Sequence, residues 1–138
     1  MRAAGGMLAL LGLGALSGGM LFFGAVMAPL VFTHLPLPVA GPFIRGAFPW
    51  YYGYCTLSAA LAALGLWLRR DWRASLVPVP VILVTGWLWF YLLPVLDAAR
   101  MLHEAARFAR GHQIAVWLNG AALLAVTMLL LRMGARLK

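Results

Sequence analysis

Four stretches of this chain contain no Asp, Glu, Lys, Arg or His: Met7 to Phe32, Ala47 to Leu68, Ala74 to Leu96 and Gln113 to Leu131. Each reaches the roughly 17 to 25 residues that a helix needs to cross about 30 Å of hydrocarbon at about 1.5 Å per residue. Together they take up most of the 138 residues, leaving room only for short connections. The spacing predicts a single all-α transmembrane domain over 1–138, an integral membrane four-helix bundle with helices at about 5–34, 47–68, 74–110 and 112–133.

Composition excludes the alternatives. The chain is 64% hydrophobic and 10% charged, against about 45 to 50% and about 25% in a soluble domain. The first apolar block follows a short basic start, Met1 and Arg2, as a secretory signal would. It is far longer than the roughly 7 to 15 residues of a signal core, so it is expected to stay as a helix. A net charge of +8 would point to nucleic acid in a soluble protein. Here the charges follow the membrane instead, and no nucleic-acid partner is expected.

With four crossings, Arg2, Arg69, Arg70, Arg73, Arg132, Arg136 and Lys138 fall on one side, and Arg45, Arg100, Arg107 and Arg110 on the other. The positive-inside rule then places both termini in the cytoplasm, in a multi-pass protein of the cell's inner (plasma) membrane. The single cysteine, Cys55, excludes an intrachain disulfide and is expected to pack as a small apolar residue.

The first helix is rich in glycine. Gly14 with Gly18, and Gly24 with Ala28, are small-xxx-small pairs of the kind that lets helix backbones approach in lipid, within the chain or against a second copy or another membrane protein. In "GPFIRGAFPWYYGYC" (41–55), Gly41 and Pro42 are expected to turn the chain and Pro49 to occupy an early helical position. Trp50, Tyr51, Tyr52 and Tyr54 then form an aromatic belt where the second helix enters the bilayer. The loop "RRDWR" is too short for anything but antiparallel neighbours, and Pro94 should kink or loosen the third helix near its end. Asp97, Arg100, Glu104 and Arg107 recur every three or four residues, which predicts an amphipathic extension of the third helix that Gly111 ends.

No motif for hydrolysis, phosphate binding or a zinc protease is present, and the only acids are Asp71, Asp97 and Glu104. His112 and Asn119 stand about two turns apart on one face of the fourth helix, with Asn119 roughly 10 Å deeper. An amide facing lipid would leave its donors and acceptor unpaired, so Asn119 should face the bundle. Two readings stay open there. Asn119 bonds a nearby carbonyl while His112 caps a helix start, or the two form the polar wall of a small binding site. His112, His103 and His34 share one side of the predicted topology, and imidazole is the common ligand of copper and haem iron. Their spacing matches no defined metal site. Arg45 is an interfacial anchor, a clamp for an anionic headgroup, or a partner of Glu104 or Asp97.

"APLVF" (28–32), Leu35, Ala40 with Gly41, "FPWYY" (48–52) and "RFARGHQIAVWLN" (107–119) resemble the transmembrane protein 205-like family, also called domain of unknown function 4149. By that resemblance Pro29, Gly41, Pro49, Tyr52, His112 and Asn119 fall on family pattern positions; Ala115 stands where members often have Ser. The family has no settled activity. More distantly, the architecture is similar to four-helix membrane proteins that bind copper or haem through histidines. The expectation is a small non-enzymatic accessory or interaction protein with no cofactor and a candidate polar site of His112, Asn119, Arg45 and Tyr52. A haem- or copper-handling protein and a small transporter component are the alternatives.

Overall fold

The computed structural model describes residues 2–135; Arg136 and Lys138, counted above in the charge balance, lie outside the described residues. Four helices are long and apolar enough to cross a membrane: α1 (Arg2–His34), α2 (Leu37–Leu68), α3 (Trp72–Met101) and α4 (Ala105–Ala135). No strand occurs among the described residues. Each helix packs against the next, and α4 returns to α1, giving an up-down four-helix membrane bundle.

Two boundaries differ from the sequence expectation. The first break lies at Leu35 and Pro36, both with ψ 142°, because a residue before proline is pushed out of the helical region. Gly41 and Pro42 therefore do not turn the chain, and α2 starts at Leu37 rather than at 47. Pro38 sits in its first turn, while Pro42 and Pro49 lie inside the helix, where they remove the donors for the Pro38 and Arg45 carbonyls.

At the second boundary, α3 stops at Met101, so the amphipathic extension to 110 does not exist as one helix. His103 adopts the left-handed conformation, φ 57°, while its N–H bonds Arg100 O at 3.1 Å and the Glu104 N–H bonds Ala99 O at 2.8 Å. That pairing is the Schellman closure usually built on glycine. Arg70, φ 67°, ends α2 in the same way, with Asp71 N–H bonded to Leu66 O at 3.0 Å. Gly111 ends nothing: it is buried within α4, where a Cβ would stand 2.6 Å from Leu96 Cδ2.

The bundle is closed most tightly between α1 and α2. A Cβ on Gly5 would lie 2.8 Å from Gly65 O, and Cβ atoms on Gly12 and Gly65 would run into the backbone of Ala62 and Ala9. Gly14, Gly18 and Gly24, the glycines of the small-xxx-small pairs, have nothing within 4 Å in front of them. Val126 and Met133 of α4 complete the core around Leu13, Leu16 and Leu66. Thr85 donates to Val81 O at 2.8 Å and meets Thr56 Oγ1 at 2.9 Å, so this buried hydroxyl is satisfied across α2 and α3.

Phe23–Met27 in α1 and Leu88–Leu92 in α3 are π-helical. Each ends two residues before a proline, Pro29 and Pro94. Proline lacks the N–H that the carbonyl four residues earlier expects, and its ring collides with that carbonyl. The turn ahead of each proline is widened, with Ala28 N–H bonding Phe23 O and Leu93 N–H bonding Leu88 O, the kind of local adjustment by which a membrane helix accommodates proline.

Gly12→Leu should cost about 1 to 3 kcal/mol of unfolding free energy by overpacking, whereas Gly14→Leu should stay within about 0.5 kcal/mol, both measured by denaturant titration in mixed micelles. In the same assay His103→Gly should stabilise by about 1 kcal/mol, since it relieves a left-handed side-chain residue.

Candidate functional site

Through Arg2–Phe22, α1 lies close against α4; past Phe22 the two helices diverge. The space left between them is a cavity of about 540 Å³, within the range of small-molecule sites. It is walled by the Phe23–His34 part of α1, the front half of α4, and α2 and α3 behind. Residues of both π-helical turns, Phe23, Gly24, Leu88 and Leu92, line it. Such turns displace side chains from the regular helical register and are frequent at functional sites.

His112, Asn119, Arg45 and Tyr52 all line this one cavity. Each arrives from a helix rather than a loop. Because α2 begins at Leu37, Arg45 sits about 12 Å into that helix, and Tyr51 and Tyr52 lie deeper still. Only part of the expected aromatic belt is therefore at the surface. Trp50 is 82% exposed. Tyr54 reaches across to donate to Ala15 O at 2.7 Å. Tyr52 is buried beside Phe48, with ring centroids 5.6 Å apart, and Tyr51 stacks on Phe23 at 4.2 Å.

The end of the cavity opposite Arg2 and Ala135 is charged. Arg45 Nη1 donates to Asp97 Oδ1 at 3.5 Å, with the two side chains 37% and 41% exposed. A contact so long and so solvated is worth at most about 1 kcal/mol. Arg100 also lines the cavity, its guanidinium 5.0 Å above the Phe108 ring, and a Cβ on Gly41 would stand 3.2 Å from its Nη1. Phe108 stacks in turn on His112, centroids 6.0 Å apart and nearly parallel at 4°. Glu104 is absent from the cavity and pairs with Arg107 at 3.1 Å.

The inner end holds one polar contact between helices. Tyr51 Oη donates to Asn119 Oδ1 at 3.0 Å, and Asn119 Nδ2 donates to Ala115 O at 2.9 Å. The amide thus faces the bundle and bonds both a carbonyl of its own helix and a partner on α2. The remaining wall is almost entirely apolar.

His34 and His103 do not line the cavity. The Nδ1 of His34 lies 2.8 Å from Thr33 Oγ1 and 3.1 Å from Leu30 O, and His103 is committed to the turn after α3. The three histidines form no common group, and among the described residues no three His, Cys, Asp or Glu side chains gather as a ligand set. Cys55 is buried in the core.

Sequence reasoning missed Tyr51, Arg100 and Phe108. Tyr51 follows from helix phase once Leu37 is known as the start of α2. The stacking of Arg100 on Phe108 depends on the turn between them, which no glycine announces.

The model of one protein family, described as a domain of unknown function (DUF4149), matches residues 11–105. The chain belongs to the DUF4149 family. No curated protein and no solved structure matches it. The DUF4149 match takes in most of α1, all of α2 and α3, and stops at the first residue of α4. Arg45, Tyr51, Tyr52, Asp97 and Arg100 lie inside it; Phe108, His112 and Asn119 lie beyond it.

Tyr51→Phe should cost about 0.5 to 1.5 kcal/mol, because it strips Asn119 of its partner in an apolar setting. A double-mutant cycle with Asn119→Leu, followed by denaturant titration, should show a coupling of about 0.6 kcal/mol or more.

Proposed function

We propose that this DUF4149 member is a non-enzymatic membrane-embedded binding protein, which holds a small amphipathic molecule between the diverging halves of α1 and α4. We place it in the inner (plasma) membrane with both termini in the cytoplasm, so that the charged end of the cavity faces outward. The observation that carries this reading is the cavity itself, apolar along its length, with Arg45, Asp97, Arg100 and His112 gathered at one end and Asn119 at the other.

Physical placement supports it. Arg45 and Arg69 are separated along α2 by roughly 36 Å, as are Arg73 and Asp97 along α3, each close to the thickness of the hydrocarbon plus its inner boundary. The charged residues of the cavity then lie at headgroup level, while Tyr51 and Asn119 lie at the depth of acyl chains. A molecule with a polar head and an apolar body meets matching surroundings at both levels.

The tightly packed core around Leu13, Leu16, Leu66 and Val126 fills the bundle beyond the cavity, which weighs against a transport pathway through the monomer. The smooth face that Gly14 and Gly18 leave on α1 suits a partner helix, in line with an accessory role. A haem-handling alternative rests on one observation, that His112 presents an imidazole to a cavity walled by aromatic rings; it requires a Soret band in protein purified after haem supplementation, abolished by His112→Ala.

Gly120 lines the cavity with nothing within 4 Å of where a Cβ would stand, so a large side chain there fills the space without meeting backbone. Native mass spectrometry of the protein released from nanodiscs should show a retained lipid-like adduct on the wild type and its loss in Gly120→Phe, with thermal stability unchanged. Retention of the adduct by Gly120→Phe, or its absence from the wild type, would sink the binding reading.

A further inference from the structure

We infer that the charged end of the cavity is a receptor for one anionic head group, a carboxylate or a phosphate monoester, on a single-chain amphiphile drawn from the bilayer. This rests on the binding reading above and adds the sign of the ligand's charge and the residues that read it.

Two guanidiniums face one carboxylate at this end of the cavity. Asp97 serves Arg45 through a single long contact, 3.5 Å. Arg100 forms no ion pair, and its guanidinium makes no hydrogen bond among the described residues. The guanidinium lies 5.0 Å from the centroid of the Phe108 ring and beside Gly41, where an added Cβ would stand 3.2 Å from its Nη1. A cation fixed over an aromatic face keeps the N–H donors at its edge available, and the planar fork suits the paired oxygens of a carboxylate or phosphate. Arg100 is exposed at the rim of the apolar space, and an unpaired guanidinium there attracts an anion through charge and paired hydrogen bonds.

The rest of the cavity decides what carries that anion. A free inorganic anion would leave the apolar stretch past Phe48 and Tyr52 unfilled. A cationic amphiphile would be repelled by the two arginines, and a neutral one would accept their hydrogen bonds without neutralising their charge. The volume, about 540 Å³, suits one chain better than two. Asp97 is then a competing counter-ion: an arriving head group takes over Arg45 as well as Arg100, and Asp97 opposes its binding by like-charge repulsion.

The opposite signs expected of two neighbouring variants make the test sharp. The protein in phosphatidylcholine nanodiscs is titrated by native mass spectrometry with oleate, lysophosphatidic acid, oleyl alcohol and inorganic phosphate. Wild type should retain oleate or lysophosphatidic acid in preference to oleyl alcohol, and whichever of the two anions binds more tightly identifies the head group. Arg100→Gln should weaken the retained anion about tenfold while leaving oleyl alcohol unchanged. Arg45→Gln should act in the same direction, Asp97→Asn should strengthen the anion severalfold, and Arg110→Gln, outside the cavity, should do nothing. A role confined to folding would lower binding in Asp97→Asn as well. Equal retention of oleate and oleyl alcohol, or indifference to Arg100→Gln in a variant that unfolds at the wild-type temperature, overturns the head-group inference and leaves the cavity reading standing. Displacement of oleate by inorganic phosphate at equal concentration overturns the amphiphile. If wild type retains none of the probes and Gly120→Phe changes nothing, both readings fall together.

Discussion

Where Gly12 meets Ala62 and Gly65 meets Ala9, two helix backbones touch, and that contact decides where the bundle is shut. Lipid offers no hydrophobic drive to bring helices together, so close dispersion contact between backbones has to supply the attraction. It is concentrated near the start of α1 and the end of α2. Around it the large apolar side chains of α1, α2 and α4 complete a dry core. At the opposite end of the bundle α1 and α4 part. The cavity thus lies at the end of the bundle away from the glycine contact.

Two prolines then shape the opening. Pro29 and Pro94 each force a wider turn just before them, and both widened turns border the cavity. In a bilayer an unsatisfied carbonyl is costly, so a helix that must accept proline shifts its hydrogen-bond register instead of breaking. Each shift rotates the rest of its helix relative to the first part. In α1 the widened turn lies between Met20, which still belongs to the core, and Ala28 and Phe32, and Phe23 and Gly24 within it line open space. Pro36 acts differently, because Leu35 before it is free to become extended, and the chain reverses there.

How much of this could be read from the residues alone follows from which signals are local. The four crossings were legible because charge-free runs of this length have one physical solution. The argument that Asn119 must face inward was equally legible, since it needs only an amide and hydrocarbon. Tyr52, His112 and Asn119 lie on one cavity for reasons of helix face and depth that sequence spacing carries, whereas Arg45, expected ahead of the second helix, joins them on α2 because that helix starts at Leu37. The turn at His103 was not legible: its left-handed residue is not glycine, and the charges at Asp97, Arg100, Glu104 and Arg107 keep a helical spacing straight through it. The extent of α2 was hidden by Gly41, Pro42 and Pro49, which read as punctuation yet sit in continuous helix. With that start misplaced, Tyr51 could not be separated from Tyr52, and the hydrogen bond to Asn119 stayed out of reach.

The parting of α1 from α4 has a further consequence. A site reached through the side of a bundle is filled from a two-dimensional solvent, and its occupancy follows the mole fraction of the ligand among surrounding lipids rather than its concentration in water. The charged residues that line it gather at one end only, so on the binding reading proposed above the leaflet on that side would be the reservoir with which it equilibrates. On the proposed reading the bundle would be asymmetric toward the membrane around it, open to the composition of one leaflet and packed shut toward the other.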